Sequence, residues 1–266
     1  MNRLSDIFRR CRAESRAALI IFAEAGYPDL RQSEQDIDEA IDNGADIIEL
    51  GIPFSDPMAD GPVIAAAGKT AIDNGATLAD ILAMAARIRQ RHPATGLVLF
   101  SYFNVMCRYG LEALCAELQR IGVDGILAVD LPLEERDELL APCRAHGLDL
   151  IPLVSPATSA ERARAIVQDI TGFVYYVSVR GITGARAAMP PELAENLAVL
   201  REISPVPVVV GFGIACRESA QTVAACADGV VVGSAFVSAC GQPGQAAALV
   251  RDLRAGCVRP SSTRNA

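Results

Sequence analysis

The stretch IIELGIPFSDPMADGP, residues 47–62, sets one carboxylate, Glu49, inside an apolar run and two more, Asp56 and Asp60, in the segment behind it. A carboxyl group among apolar neighbours keeps its proton to higher pH, because burial penalises the charged form, and an acid that is still protonated near neutrality suits general acid–base work. In a strand Glu49 shares a face with Ile47, while Ile48 and Leu50 point to the other. The competing explanation for Glu49 is structural: a buried carboxylate satisfied by an arginine or by backbone amides. Asp56 and Asp60 lie among Pro53, Pro57 and Pro62, which stiffen the segment, and Gly61, which lets it turn. For these two, capping and turn formation compete with chemistry.

A second kind of chemistry is signalled near the far end of the chain. GFG at 211–213 and GSA at 233–235 each follow an apolar run. Small residues at the start of a helix free backbone amides to point at an anion without any basic side chain. Two tight strand-to-helix turns would need the same glycines. RGITGAR, residues 180–186, has the glycines and polar residues of a mobile lid, and Gly184 could add a further amide.

Eight apolar runs are candidates for the strands that position these residues: ALIIFA (18–23), DIIEL (46–50), LVLFSY (97–102), GILAVD (125–130), LIPLVS (150–155), FVYYVS (173–178), PVVVGF (207–212) and GVVVGS (229–234). Amphipathic helical patterns separate them. In SEQDIDEAIDNG, Ser33 is placed to cap, Asp36 to support the first turn, Ile37, Ala40 and Ile41 to face inward and Gly44 to end the helix. Leu4, Ile7, Phe8 and Cys11 add an amphipathic helix ahead of the first strand. Continuous apolar strands with helices between them describe a parallel sheet covered on its faces. Eight such pairs in 266 residues predict a single (β/α)8 TIM barrel with an extra N-terminal helix. One domain over 1–266 is expected, with the barrel core at about 16–255 and a solvated tail at 258–266. A doubly wound open sheet would want a glycine-rich turn after the first strand, which is absent.

Barrel enzymes work at the C-terminal ends of their strands, and that rule sorts the remaining titratable residues. His92 and His146, the two histidines, close helices just before the next strand and so fall on the opposite face. No metal site is expected. The 24 basic residues include one lysine, Lys69, on a helical segment rather than at a strand end, which disfavours a Schiff base. A net charge of −8 argues against a nucleic-acid surface. The apolar run 17–23 is far shorter than the roughly 18 residues a membrane span requires. Asp6 and Glu14 interrupt the basic character a signal peptide would need, so none is expected. Eight scattered cysteines without a C-x-x-C point to a reducing cytoplasm.

ELGIPFSDPMADGP, GVDGILAVDLP, FVYYVSVRGITGAR, GFGI and DGVVVGSA, in that order over residues 16–237, closely resemble the α subunit family of tryptophan synthase. The resemblance implies a cofactor-free carbon–carbon lyase that cleaves indole-3-glycerol phosphate to indole and glyceraldehyde 3-phosphate, the retro-aldol half of the last step of tryptophan biosynthesis. It implies Glu49 as acid and base, Asp60 as acceptor of the indole N–H, and an indole pocket of Phe22, Ile64, Phe100, Tyr102, Leu127, Val129, Tyr175, Thr183 and Phe212. It further implies phosphate binding by Gly184, Gly213, Gly233 and Ser234. Pro53 and Asp56 would touch a β subunit that carries pyridoxal phosphate, within an α2β2 assembly. The chain departs from the pattern at Glu24, where threonine is usual, at Val105 and at Arg180. Glu24 would lie close to Glu49 and raise its proton affinity or spoil the site. It keeps open a diverged subunit that binds and activates its partner, and the same catalytic residues would also serve a free-standing lyase. A related barrel enzyme that makes indole-3-glycerol phosphate would want a catalytic lysine.

Overall fold

The computed structural model describes residues 3–177, 191–211 and 213–259. They form nine strands: β1 (Ala18–Glu24), β2 (Ile47–Gly51), β3 (Gly96–Ser101), β4 (Gly125–Ala128), β5 (Asp149–Leu150), β6 (Leu153–Val154), β7 (Val174–Val177), β8 (Val208–Gly211) and β9 (Gly229–Val232). Helices α1 (Arg3–Ala13), α2 (Leu30–Asp42), α3 (Pro62–Asp73), α4 (Leu78–Arg91), α5 (Phe103–Tyr109) and α6 (Leu111–Ile121) accompany the first half. Helices α7 (Asp137–Ala145), α8 (Ala160–Val167), α9 (Pro191–Ile203), α10 (Arg217–Ala224), α11 (Ser234–Ala239) and α12 (Gln245–Gly256) accompany the second.

All pairings within the sheet are parallel and its order is β5-β4-β3-β2-β1-β9-β8-β7-β6. The two ends of that order, β5 and β6, are halves of one expected strand, interrupted at Ile151 and Pro152. Ile151 N–H still bonds Ile126 on one side, and the Pro152 carbonyl accepts Tyr175 N–H at 3.0 Å on the other, so the sheet closes into the expected barrel. Proline has no N–H to give to a ladder, which accounts for the break.

The period-2 alternation divides the apolar residues into two cores. Ile48, Leu50, Leu97 and Leu99 pack outward against the helices, whereas Ile20, Ile47, Val98, Leu127, Phe173 and Val209 fill the barrel interior. Helix α1 closes the floor. Its predicted stripe of Leu4, Ile7, Phe8 and Cys11 joins the interior core, and Phe8 lies 5.7 Å from Phe173 between ring centroids.

Aspartates preceding the strands tie this lower rim together. Asp46 accepts Leu19 N–H at 3.0 Å and a bidentate bond from Arg16 at 2.7 and 2.8 Å. Asp124 accepts Leu97 N–H at 2.8 Å and bonds Arg89 and Arg3, and Asp228 accepts Val208 N–H at 3.1 Å. Each carboxylate holds the first residues of the neighbouring strand in register.

Three local expectations are corrected. Asp29, not Ser33, caps α2, by accepting Gln32 N–H at 2.9 Å. Ser33 is one turn inside the helix, where its Oγ accepts Gly26 N–H at 3.1 Å, and Asp36 accepts Gly241 N–H at 2.9 Å from across the fold. The first two residues of the expected tail, Val258 and Arg259, are instead tied to the fold. Val258 bridges Arg16 and Arg259 N–H bonds the Ser15 carbonyl, because the segment after α12 runs back beside the start of β1; 260–266 lie outside the described residues. His92 and His146 do sit at helix C-termini, paired with Asp38 and Glu112 at 3.0 and 2.7 Å.

Candidate active site

Glu49 faces the barrel interior near its C-terminal mouth, opposite Phe22 on β1 and Val98 on β3. Its side chain is 0% exposed, and neither carboxylate oxygen has a hydrogen-bond partner among the described residues. Among the described residues neither an arginine nor a backbone amide satisfies it, which disfavours the structural explanation for its burial. Removal from water raises its pKa to about 8, with no other contribution resolved. Tyr175 lies close enough for the Glu49 charge to reinforce the effect of burial, and its phenol is held well above its ordinary value.

The expected pocket residues gather around this acid. Phe22 and Phe100 meet edge to face with centroids 5.0 Å apart, and Ile64 packs against the same small cluster of Phe22, Ala67 and Val237. Leu127, Val129 and Tyr175 line the same interior. Tyr175 requires Gly211 beside it, since a Cβ there would stand 1.8 Å from the phenol oxygen.

Asp60 approaches from the β2–α3 segment, half-buried, and Tyr102 fastens that segment to the barrel. The Tyr102 hydroxyl accepts Ala59 N–H at 2.9 Å and bonds the Asp60 carboxylate, while its ring packs 5.0 Å from Phe54. Burial raises the pKa of Asp60 and the Tyr102 bond opposes the rise. Tyr102 itself is pushed up to about 12, by burial first and then by Asp60 against the lowering bond from Ala59. At the outer turn of the segment Asp56 is exposed and bonded to Ser55, Pro53 is half-buried and Met58 is 86% exposed.

A cavity of about 480 Å³ opens between this segment and the far side of the mouth, lined by Ile64, Tyr175, Gly211, Gly213, Gly233 and Ser234 among others. Ser234 opens α11 rather than ending a strand, with Gly233 as the preceding residue, and Gly213 turns at φ +53°. The glycine clusters therefore converge on one hollow, with Phe22 and Ile64 under 4 Å from where a Gly233 side chain would begin. Thr183, Gly184, Phe212 and Arg180 lie outside the described residues. So does the whole of the expected lid, residues 180–186. Among the described residues no group of three or more His, Cys, Asp or Glu is arranged to hold a metal.

Glu24 corrects an expectation. Its charge neighbour is Asp60, not Glu49, and burial together with Asp60 raises its pKa to about 8. Sequence reasoning passed over Gly51 and Gly68, whose missing side chains make room for Glu24 and for the Phe22 ring. Their signal was glycine at a strand end and inside a helix, where it is costly unless something approaches closely.

Fold and site together define a (β/α)8-barrel enzyme with a buried acid below a glycine-lined hollow at its mouth. A model of the family described as tryptophan synthase alpha chain matches residues 8–259. Tryptophan synthase alpha chains of Geobacter sulfurreducens and Rhizorhabdus wittichii are 48% identical over 237 residues and 46% identical over 256, covering 89% of both chains and 96% of this chain with 94% of that one. A tryptophan synthase structure from M. tuberculosis superposes with a TM-score of 0.90 at 36% identity, over 98% of this chain and all of that one. The chain belongs to the tryptophan synthase alpha chain family.

Proposed function

We propose that this α chain cleaves indole-3-glycerol phosphate to indole and glyceraldehyde 3-phosphate, with Glu49 and Asp60 as its catalytic residues. The observation that carries the proposal is Glu49: fully buried, unpartnered among the described residues, and protonated up to about pH 8 on the interior face of the mouth. The Glu49 carboxyl gives its proton to C3 of the indole ring, which leaves positive charge at the ring nitrogen. Asp60 accepts the N–H and stabilises that charge. The Glu49 carboxylate then takes the proton of the side-chain hydroxyl. As the hydroxyl oxygen forms the aldehyde carbonyl, the electron pair of the C3–carbon bond returns to the ring and neutralises the nitrogen. Glu49 ends protonated, as it began. Two carboxyls in different surroundings can divide such work.

Phe22, Ile64, Phe100, Leu127, Val129 and Tyr175 supply the apolar walls for the ring. Gly213, Gly233 and Ser234 supply backbone amides and one hydroxyl for the phosphate, which suits a chain of net charge −8 whose anion site must be local. Family membership supports a β-subunit partner carrying pyridoxal phosphate, and the exposed Met58 beside Asp56 is the kind of surface such a partner would cover. The test is indole release by the purified chain, with and without a cognate β subunit, beside Glu49→Gln. Slow release that the partner accelerates and the substitution abolishes is expected. Undiminished release by Glu49→Gln would overturn the assignment.

A further inference from the structure

Glu24 is a buried acid that the scheme above leaves idle. It ends β1 in register with Gly51 of β2 and is 6% exposed. The space it fills exists because two neighbours lack side chains. A Cβ on Gly51 would stand 3.0 Å from Oε2 of Glu24, and one on Gly68 of α3 would stand 3.0 Å from Oε1, with the Pro53 backbone 4.0 Å away. The carboxyl group is thus wedged between β2 and α3, under the root of the segment that carries Asp60. Glycine is unfavourable in regular structure, so two of them facing one carboxyl mark a place made for it.

Among the described residues Asp60 is the one group whose charge acts on Glu24. Glu49, on the same face of β2, responds to burial alone. Lys69, next to Gly68, is turned outward and paired with Asp73 at 2.5 Å. Tyr27, whose backbone N–H bonds the Glu24 carbonyl, and Tyr102, which bonds Asp60, bring phenols rather than cations. Asp56 is exposed. Among the described residues neither Glu24 nor Asp60 makes a salt bridge.

We propose that Glu24 is a positioning residue for Asp60: a neutral Glu24, wedged between β2 and α3 at the root of the segment, lets ionised Asp60 and its segment stay seated over the mouth. Ionising Glu24 as well would put two like charges into one poorly solvated notch, and Asp60, the less buried of the pair, is the one able to leave. Burial and Asp60 together set that change just above neutrality, near pH 8. The proposal rests on Asp60 as the indole N–H acceptor.

Glu49→Gln removes turnover and the titration of Glu49, so calorimetric binding of indole-3-glycerol phosphate can be followed from about pH 6.5 to 9.5 in that variant and in Glu24→Gln/Glu49→Gln. The two should bind alike at pH 7. Above pH 8 the single variant should weaken, approaching about tenfold per pH unit, while the double variant holds its affinity. A second readout needs no substrate: by carboxyl ¹³C NMR on the unliganded chain, Asp60→Asn should lower the titration midpoint of Glu24. Matching pH profiles in the two variants, or a Glu24 midpoint indifferent to Asp60→Asn, would overturn the proposal. Absence of binding by both variants at pH 7 would overturn the assignment of the site and the proposal with it, and the carboxyl titration tells that failure apart from a failure of the Glu24–Asp60 link alone.

Discussion

Replacing Glu49 with Gln should stabilise the folded chain by an amount that grows with pH. The carboxyl titrates near its ordinary 4.5 in the unfolded chain and near 8 in the folded one. Below pH 4.5 both states are protonated and the group has no pH-dependent effect. Between 4.5 and 8 the unfolded chain has released the proton and the folded chain has not, so stability falls by about 1.36 kcal/mol per pH unit. The group's contribution is thus fully present at acid pH and is lost as pH rises through 8, with a total of about 5 kcal/mol. Glutamine keeps the shape and cannot ionise. The stability difference between the two proteins therefore isolates this one group, since every other titration is common to both. Urea unfolding at pH 5, 6, 7, 8 and 9, read by circular dichroism and compared at equal slopes, should show the gap widening by about 4 kcal/mol from pH 5 to pH 8. A gap constant to within about 1 kcal/mol would refute the claim that burial holds the proton on Glu49.

Gly51→Ala would place a methyl 2.5 Å from the Phe22 ring and 3.0 Å from Glu24; the overpacking should cost about 1–3 kcal/mol in denaturant unfolding and lower indole release by shifting the ring. Asp46→Asn should cost about 3 kcal/mol, because it leaves the buried Arg16 guanidinium with only the exposed Glu14 as charge partner, while the mouth at the other end keeps its geometry. Tyr102→Phe removes the acceptor for Ala59 N–H and the donor to Asp60; it should cost about 1 kcal/mol and speed proteolytic nicking of residues 53–60 with the barrel still folded.

The barrel was readable because each strand carries its own apolar run and each helix its own stripe, so local pattern and global fold agree. Where the pattern misled, something distant had intervened. Ser33 has the chemistry of a cap, yet it serves Gly26 because Asp29 reaches the helix start first. The fifth strand reads as one continuous run, and only the pairing on either side of Pro152 divides it. At the site, Glu49 declared itself by being charged among apolar residues, whereas its lack of a partner among the described residues depends on which segments cross nearby. Glu24 was visible as a departure, but its partner was not. Which carboxyl it answers to depends on two glycines, one of them 17 residues beyond the other, that come together only when α3 folds back over β1 and β2.

The α1 floor has a consequence for traffic. Among the described residues Leu4, Ile7 and Phe8 fill the lower opening, which leaves the mouth above Glu49 as the way in, and the substrate and products of the proposed cleavage would share it. The segment held by Tyr102 forms part of the doorframe, and so does the glycine-lined hollow opposite. Whatever sits on that face therefore governs departure as well as entry. A partner docked there would receive a product directly, and one that blocked it would halt turnover without touching Glu49.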